Sequence, residues 1–197
     1  MIITLTKLNF NVEHAIDYYK TLLSQHDDLH WYYTQDHNNP NVIDPKNKLD
    51  AMHGWGLQTI YSDLSFPYHC DLDPHNEGPQ YFKNTKLVFG WAKSMLDAVE
   101  QPYRSFVFVY PSGDYLGKFL STPPPHFRIY MPIISNEQSW LISHTDPVTK
   151  VLLVPGSVYL NTLDVDTEIR NDGTSDLVFL ETNSPIEHLE QILIKFK

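Results

Sequence analysis

Asn11 precedes Val12, Ala15, Ile16, Tyr19, Leu22 and Leu23, apolar positions that recur at the helical period, and its short polar side chain suits a helix start. The pattern predicts a helix there. Residues 27 to 84 show little regular alternation. They hold Pro40, Pro45, Pro67, Pro74 and Pro79 among many Asn and Asp, yet Trp31, Tyr32, Tyr33, Trp55, Tyr61, Phe66 and Tyr68 all call for burial. This stretch reads as a long ordered loop region with short strands. Leu87, Val88, Trp91, Met95 and Val99 support a second helix after Asn84.

From Arg104 onward the period becomes strand-like. Ser105–Tyr110, Phe127–Ile134, Trp140–Ser143, Val151–Val154, Ser157–Asn161 and Leu177–Thr182 are short β runs. Turn chemistry separates them: Pro111-Ser112-Gly113-Asp114, Pro123-Pro124-Pro125, Pro155-Gly156 and Asn171-Asp172-Gly173. Closely spaced strands with Pro/Gly turns predict a double-sheet jelly roll or barrel. Ile186, Leu189, Ile192, Leu193 and Phe196 return to helical spacing. The expected class is mainly β with flanking helices. The chain is expected to form a single domain over 1–197, with a helical and loop-rich part (1–100), a β core (101–183) and a C-terminal helix (184–197). No repeat or low-complexity tract interrupts it.

Composition adds exclusions. With 24 acidic and 14 basic side chains the formal net charge is -10, which argues against nucleic acid as a partner. Aromatics make up 13% of the 197 residues, enough to rule out wholesale disorder. Of the cations only Arg104, Arg128 and Arg170 are arginines. The lone cysteine, Cys70, excludes an internal disulfide framework and fits a reducing interior. No long apolar run predicts a membrane span, and Met1–Lys7 lacks the features of a signal peptide. A protein of the cytoplasm is expected.

Three segments carry a family resemblance: Arg128-Ile129-Tyr130-Met131-Pro132-Ile133, Val154 through Thr162 (VPGSVYLNT), and Arg170-Asn171-Asp172-Gly173. In that order and spacing, residues 85 to 183 resemble the double-stranded β-helix, a cupin-like jelly roll, of iron(II)/2-oxoglutarate oxygenases. The nearest branch is the aspartyl/asparaginyl β-hydroxylases and proline-hydroxylase-like proteins, in the small form common in phages. The resemblance implies Fe(II) and 2-oxoglutarate as cofactors, two histidines and a carboxylate on iron, and arginines for the 2-oxoglutarate carboxylate. Arg128 matches one such arginine. At the family's spacings, however, the His-x-Asp reads Phe119-Leu120-Ser121, the histidine of Arg-x-His is Tyr130, the distal histidine is Thr167 beside Asp166, and the second arginine is Leu177. Phenylalanine cannot ligate iron, and a threonine hydroxyl is a poor neutral ligand.

The resemblance therefore implies a chain without catalytic residues or cofactor. Its vestigial pocket would consist of Arg128, Phe119, Ser121, Tyr130, Thr167 and Leu177. Arg128 reads either as a residual anion anchor or as an ion-paired strand arginine, with Asp114 or Glu181 as partner.

Other constellations are weaker. His69, Asp71, Asp73 and His75 would share one face if extended, which makes His69, Asp71 and His75 an outside metal candidate. His26/Asp28 and His144/Asp146 repeat the His-x-Asp spacing. His53-Gly54-Trp55-Gly56-Leu57-Gln58-Thr59 lacks the lysine of a phosphate loop and reads as a tight turn with Trp55 on the core. No Gly-x-Ser-x-Gly elbow occurs, and nothing in the sequence activates the Cys70 thiol.

Three expectations result. The first is a non-catalytic structural or protein-interaction module, of phage type and possible virion location, with other proteins or itself as partner. The second is a divergent Fe(II)/2-oxoglutarate hydroxylase. The third is a cupin-like anion or small-molecule binder using Arg128, Tyr130 and Thr167.

Overall fold

The apolar runs beyond Arg104 are strands of two antiparallel sheets, and residues from the first half extend one of them. A computed structural model describes residues 1–32, 53–59, 79–113, 115–119, 126–144, 147–162 and 167–197, with 31, 32 and 115–119 described by backbone alone. In chain order the elements are β1 (Ile2–Asn9), α1 (Val12–Gln25), β2 (Trp31–Tyr32), β3 (His53–Gly56), β4 (Gln58–Thr59), β5 (Lys83–Asn84) and α2 (Gly90–Ala98). Then follow β6 (Tyr103–Tyr110), β7 (Tyr115–Phe119), β8 (His126–Ile134), β9 (Ser139–Ser143) and β10 (Thr149–Leu152). The last are β11 (Ser157–Asn161), β12 (Thr167–Asn171), β13 (Leu177–Pro185) and α3 (Leu189–Phe196).

A seven-stranded sheet has the order β1-β11-β8-β13-β6-β3-β2, and a four-stranded sheet has the order β10-β9-β12-β7. From β6 to β13 the chain passes back and forth between the two. That winding is a double-stranded β-helix, in a mainly β chain with few helices.

The large sheet is buried on both faces, because successive side chains of a strand point to opposite sides. Phe127, Ile129, Met131 and Ile133 of β8 join a core shared with α1, α2 and α3. Tyr130 of the same strand faces the other way, into a core between the sheets with Phe106, Phe108, Tyr110, Leu141, Tyr159, Ile169, Leu177 and Phe179. Burial on two sides is why these strands appear in the sequence as continuous apolar runs.

Several expectations need correction. Asn11 caps α1 as predicted, its Oδ1 accepting from the backbone N–H of Glu13 (2.8 Å) and His14 (3.2 Å). The second helix starts only at Gly90. Before it, the Thr85 N–H and hydroxyl both donate to the Leu57 carbonyl, holding that segment against β4 instead of in a helix. The segment His53–Thr59 is strand, not turn: β3 pairs with β6, and Trp55 is buried at 1% exposure with its indole N–H on the His26 carbonyl. Gly54 is demanded by that pairing, since a Cβ there would lie 1.9 Å from the Val107 carbonyl oxygen.

Three strands went unpredicted. One is β1, which pairs with β11 and adds a strand from the supposedly helical first part. The others, β7 and β12, belong to the small sheet, where one face is core and the other is outside. There Ile169 is inward, while Glu168 and Arg170 lie on the other side, too little apolar signal to read as a strand.

At one end of the barrel the two N–H groups of Asn171 Nδ2 are shared among the carbonyls of Tyr110 (2.9 Å), Pro111 (3.0 Å) and Ser175 (2.9 Å), and its Oδ1 accepts from Asn136 Nδ2 at 2.9 Å. This closes the bottom. The other end is the mouth.

Candidate functional site at the barrel mouth

Register brings the mouth residues together. Phe119, the last residue of β7, lies opposite Thr167, the first of β12. Across the large sheet Asn161 of β11 stands opposite Arg128 of β8, Arg128 opposite Asn183 of β13, and Asn183 opposite Tyr103 of β6. One step deeper the row reads Tyr159, Tyr130, Glu181 and Phe106. Below that the interior is apolar, with Phe108 and Phe179 side by side. The barrel lumen thus grades from polar at the mouth to aromatic below.

Arg128 Nε lies 3.6 Å from Glu181 Oε1, with the two side chains only 15% and 10% exposed. Burial holds the Glu181 carboxyl above its ordinary pKa, against the pull of Arg128. Of the two partners open to Arg128 in the sequence, Glu181 is the one found; Asp114 lies outside the described residues. Asn161 Nδ2 donates to Thr167 Oγ1 at 2.7 Å, tying β11 to the start of β12.

Arg104 reaches this region through a bulge. Between the pairs Glu181–Phe106 and Asn183–Tyr103 the register shifts, so Arg104 and Ser105 together oppose Thr182. Arg104 has a φ of 51°, in the left-handed region that a side chain occupies only at a cost in strain. His126, on the face of β8 that carries Arg128, is 4% exposed and stacks edge-on against Tyr103 at 5.8 Å. Its pKa is pushed down to about 3, first by burial and then by the charges of Arg128 and Arg104. Burial raises the Tyr103 phenol to about 12. Both groups are therefore neutral at pH 7.

Of the sequence-predicted pocket residues, Phe119, Arg128, Tyr130 and Thr167 share the mouth. Leu177 does not: it faces the same lumen but pairs with Tyr110 at the far end of β13. It stands six residues from Asn183, roughly 20 Å along the strand. Among the described residues Glu181 stands beside Arg128, and the second arginine at this end is Arg104, not the residue at position 177. Ser121, Asp166 and the candidates His69, Cys70, Asp71, Asp73 and His75 lie outside the described residues, as does Asp146. His144 sits on the outer face of the small sheet, its Nε2 2.7 Å from Glu168 Oε2, and Arg170 also pairs with Glu168. His126, Asn183 and Arg104 were missed by sequence reading. A charge or amide breaking each apolar run was the available signal.

Iron(II) does not fit these residues. Among the described residues no three His, Cys, Asp or Glu side chains come together. Glu181 is committed to Arg128, and the burial and the Arg128 and Arg104 charges that disfavour a proton on His126 also disfavour a cation beside it.

The two-sheet winding defines the class as a double-stranded β-helix protein, with polar side chains gathered at one end of its lumen. Two solved structures share the fold over nearly the whole chain. One is a prolyl hydroxylase from Trichoplax adhaerens in complex with a peptide fragment of the hypoxia inducible factor oxygen degradation domain. It is 10% identical, covers 98% of this chain and 86% of its own, and has a TM-score of 0.56. The other, a Pseudomonas putida prolyl-4-hydroxylase, is 8% identical, covers 92% and 90%, and has a TM-score of 0.51. At such identities the likeness is one of fold. No family model and no curated protein matches the chain.

Proposed function

We propose that this chain is a non-catalytic double-stranded β-helix protein that serves as a structural or protein-interaction module. The reading rests on one observation: the register that opposes the end of β7 to the start of β12 puts Phe119 against Thr167, where the resemblance expects iron-ligating histidines. An aromatic ring and a neutral hydroxyl offer no adequate ligand for iron. Arg128, the remaining arginine of the pattern, has Glu181 beside it, so its charge is already answered. The partners in this reading are other proteins, virion proteins or further copies of the chain, in a phage-type protein of the host cytoplasm or a virion. A net charge of -10 favours neutral or basic surfaces and disfavours nucleic acid. No described helix is long and apolar enough to cross a membrane.

A second reading, a cupin-like small-molecule binder, is favoured by the polar side chains gathered in the lumen. Anaerobic calorimetric titration with Fe(II) and 2-oxoglutarate tests the first claim. The expected result is no saturable heat from either; tight binding of both would overturn the non-catalytic reading and restore the hydroxylase.

A further inference from the structure

Buried polar side chains in the mouth carry hydrogen-bonding capacity that the protein itself does not use. Asn161 Oδ1, Asn183 Oδ1, both ring nitrogens of His126 and Arg104 Nε are all shielded and without a partner, whereas the Tyr130 hydroxyl between them is engaged by Arg128 and Asn161. Asn161 and Tyr130 are 0% exposed, and His126 and Asn183 are 4% exposed. Buried polar atoms are normally paired, and each one left unmatched lowers stability. Asn161 and Asn183 flank Arg128 in one row, Tyr130 lies in the next, and His126 shares their strand face. The charge of Arg104 acts on His126 from the strained bulge of β6.

The mixture of donors and acceptors selects the ligand. Neutral His126 offers one donor and one acceptor, each amide oxygen an acceptor as the amides are turned here, and Arg104 Nε a donor. A carboxylate or phosphate only accepts, so it would leave the Asn oxygens and one imidazole nitrogen unmatched. An ammonium only donates, and Arg104 and Arg128 repel it. A hydroxyl does both, and it serves an amide whichever way the amide is turned. Tyr103 and Phe106 in the adjoining strand, with Phe82 against Tyr103 at 5.7 Å, supply ring surface for C–H groups.

We propose that the barrel mouth binds a small polyhydroxylated molecule, a monosaccharide or polyol, through Asn161, Asn183, His126 and Arg104. This deepens the reading of the mouth as a site without iron. Two variants test it in the full chain. Asn183→Leu removes an unmatched amide oxygen, and Arg104→Gly removes a donor while relieving the left-handed φ. Both are expected to fold and to melt no lower than the parent.

Calorimetry and ligand-detected NMR are run with glucose, galactose, mannose, glycerol and sorbitol, alongside citrate and 2-oxoglutarate. The hexoses and the linear polyols separate the two sources of the chemistry. At least one hydroxylated probe should bind, each variant should weaken it about tenfold, as expected for one lost hydrogen bond, and citrate should give no response. Silence from all five hydroxylated probes, or binding untouched by both variants, overturns the proposal. Binding of Fe(II) with 2-oxoglutarate would overturn the non-catalytic reading instead, so the two failures are distinguishable.

Discussion

Arg128 and Glu181 form a pair that neither residue could sustain alone in the lumen. Removing one partner of a buried pair leaves an uncompensated charge, which typically costs roughly 3–5 kcal/mol. Arg128→Ala should therefore destabilise strongly in urea unfolding, whereas Arg128→Leu combined with Glu181→Leu should recover most of the loss, since apolar replacement of both avoids desolvation. If the double variant is as unstable as the single one, Arg128 acts through partners other than Glu181. At the opposite end, Asn171 illustrates a residue whose motif has a purely structural use: its amide ties β6, β12 and the loop after β12. Gly173 beside it has no room for a side chain, because a Cβ would fall 2.1 Å from Asn136 Oδ1.

The informative elements are those that extend the barrel sheet. Strand β3 lies against β6 closely enough to require Gly54, and it carries Trp55 under α1, where His30 stacks on the indole at 4.1 Å. Gly54→Ala should push β3 off β6 and admit water to Trp55, seen as a red shift in tryptophan fluorescence and a lower melting temperature. An unchanged spectrum would mean that the strands can separate by the needed distance without cost. In β6 the bulge at Arg104 changes how the strand meets β13, and it does so exactly at the mouth's edge, where bulges commonly re-aim side chains.

For the whole molecule, two buried histidines dominate the expected response to acid. His53 is pushed down to about 4, first by burial and then by His30, whose Nε2 lies 2.6 Å from its Nδ1. His126 is pushed down to about 3. As pH falls below the ordinary histidine value of 6.5, the unfolded chain takes up protons that the folded chain refuses until those lower values. Stability is therefore full above about 6.5 and declines below it, by on the order of a few kcal/mol in total. Glu181, with its raised pKa, works the other way and offsets part of the loss. Urea midpoints at about pH 7 and pH 5 check this: the midpoint should drop, and His126→Leu should shrink the drop. A midpoint independent of pH would show that neither ring is held neutral.

Local pattern alone determined α1 with its Asn11 cap, the closing helix and the large-sheet strands of the barrel, because strands buried on both faces write long apolar runs into the chain. The family resemblance, not the pattern, singled out Arg128, and Glu181 was one of two carboxylates open to it as a partner. What the pattern could not determine was anything set by register between distant segments. The small-sheet strands β7 and β12 carry a one-sided signal too thin to read, yet their pairing is what opposes Phe119 to Thr167. The row of Asn161, Arg128, Asn183 and Tyr103 joins four strands spread over some eighty residues, and the far placement of Leu177 follows from strand direction, not from spacing in the chain. Side-chain types are local properties; which of them share a lumen is decided only when the sheets close.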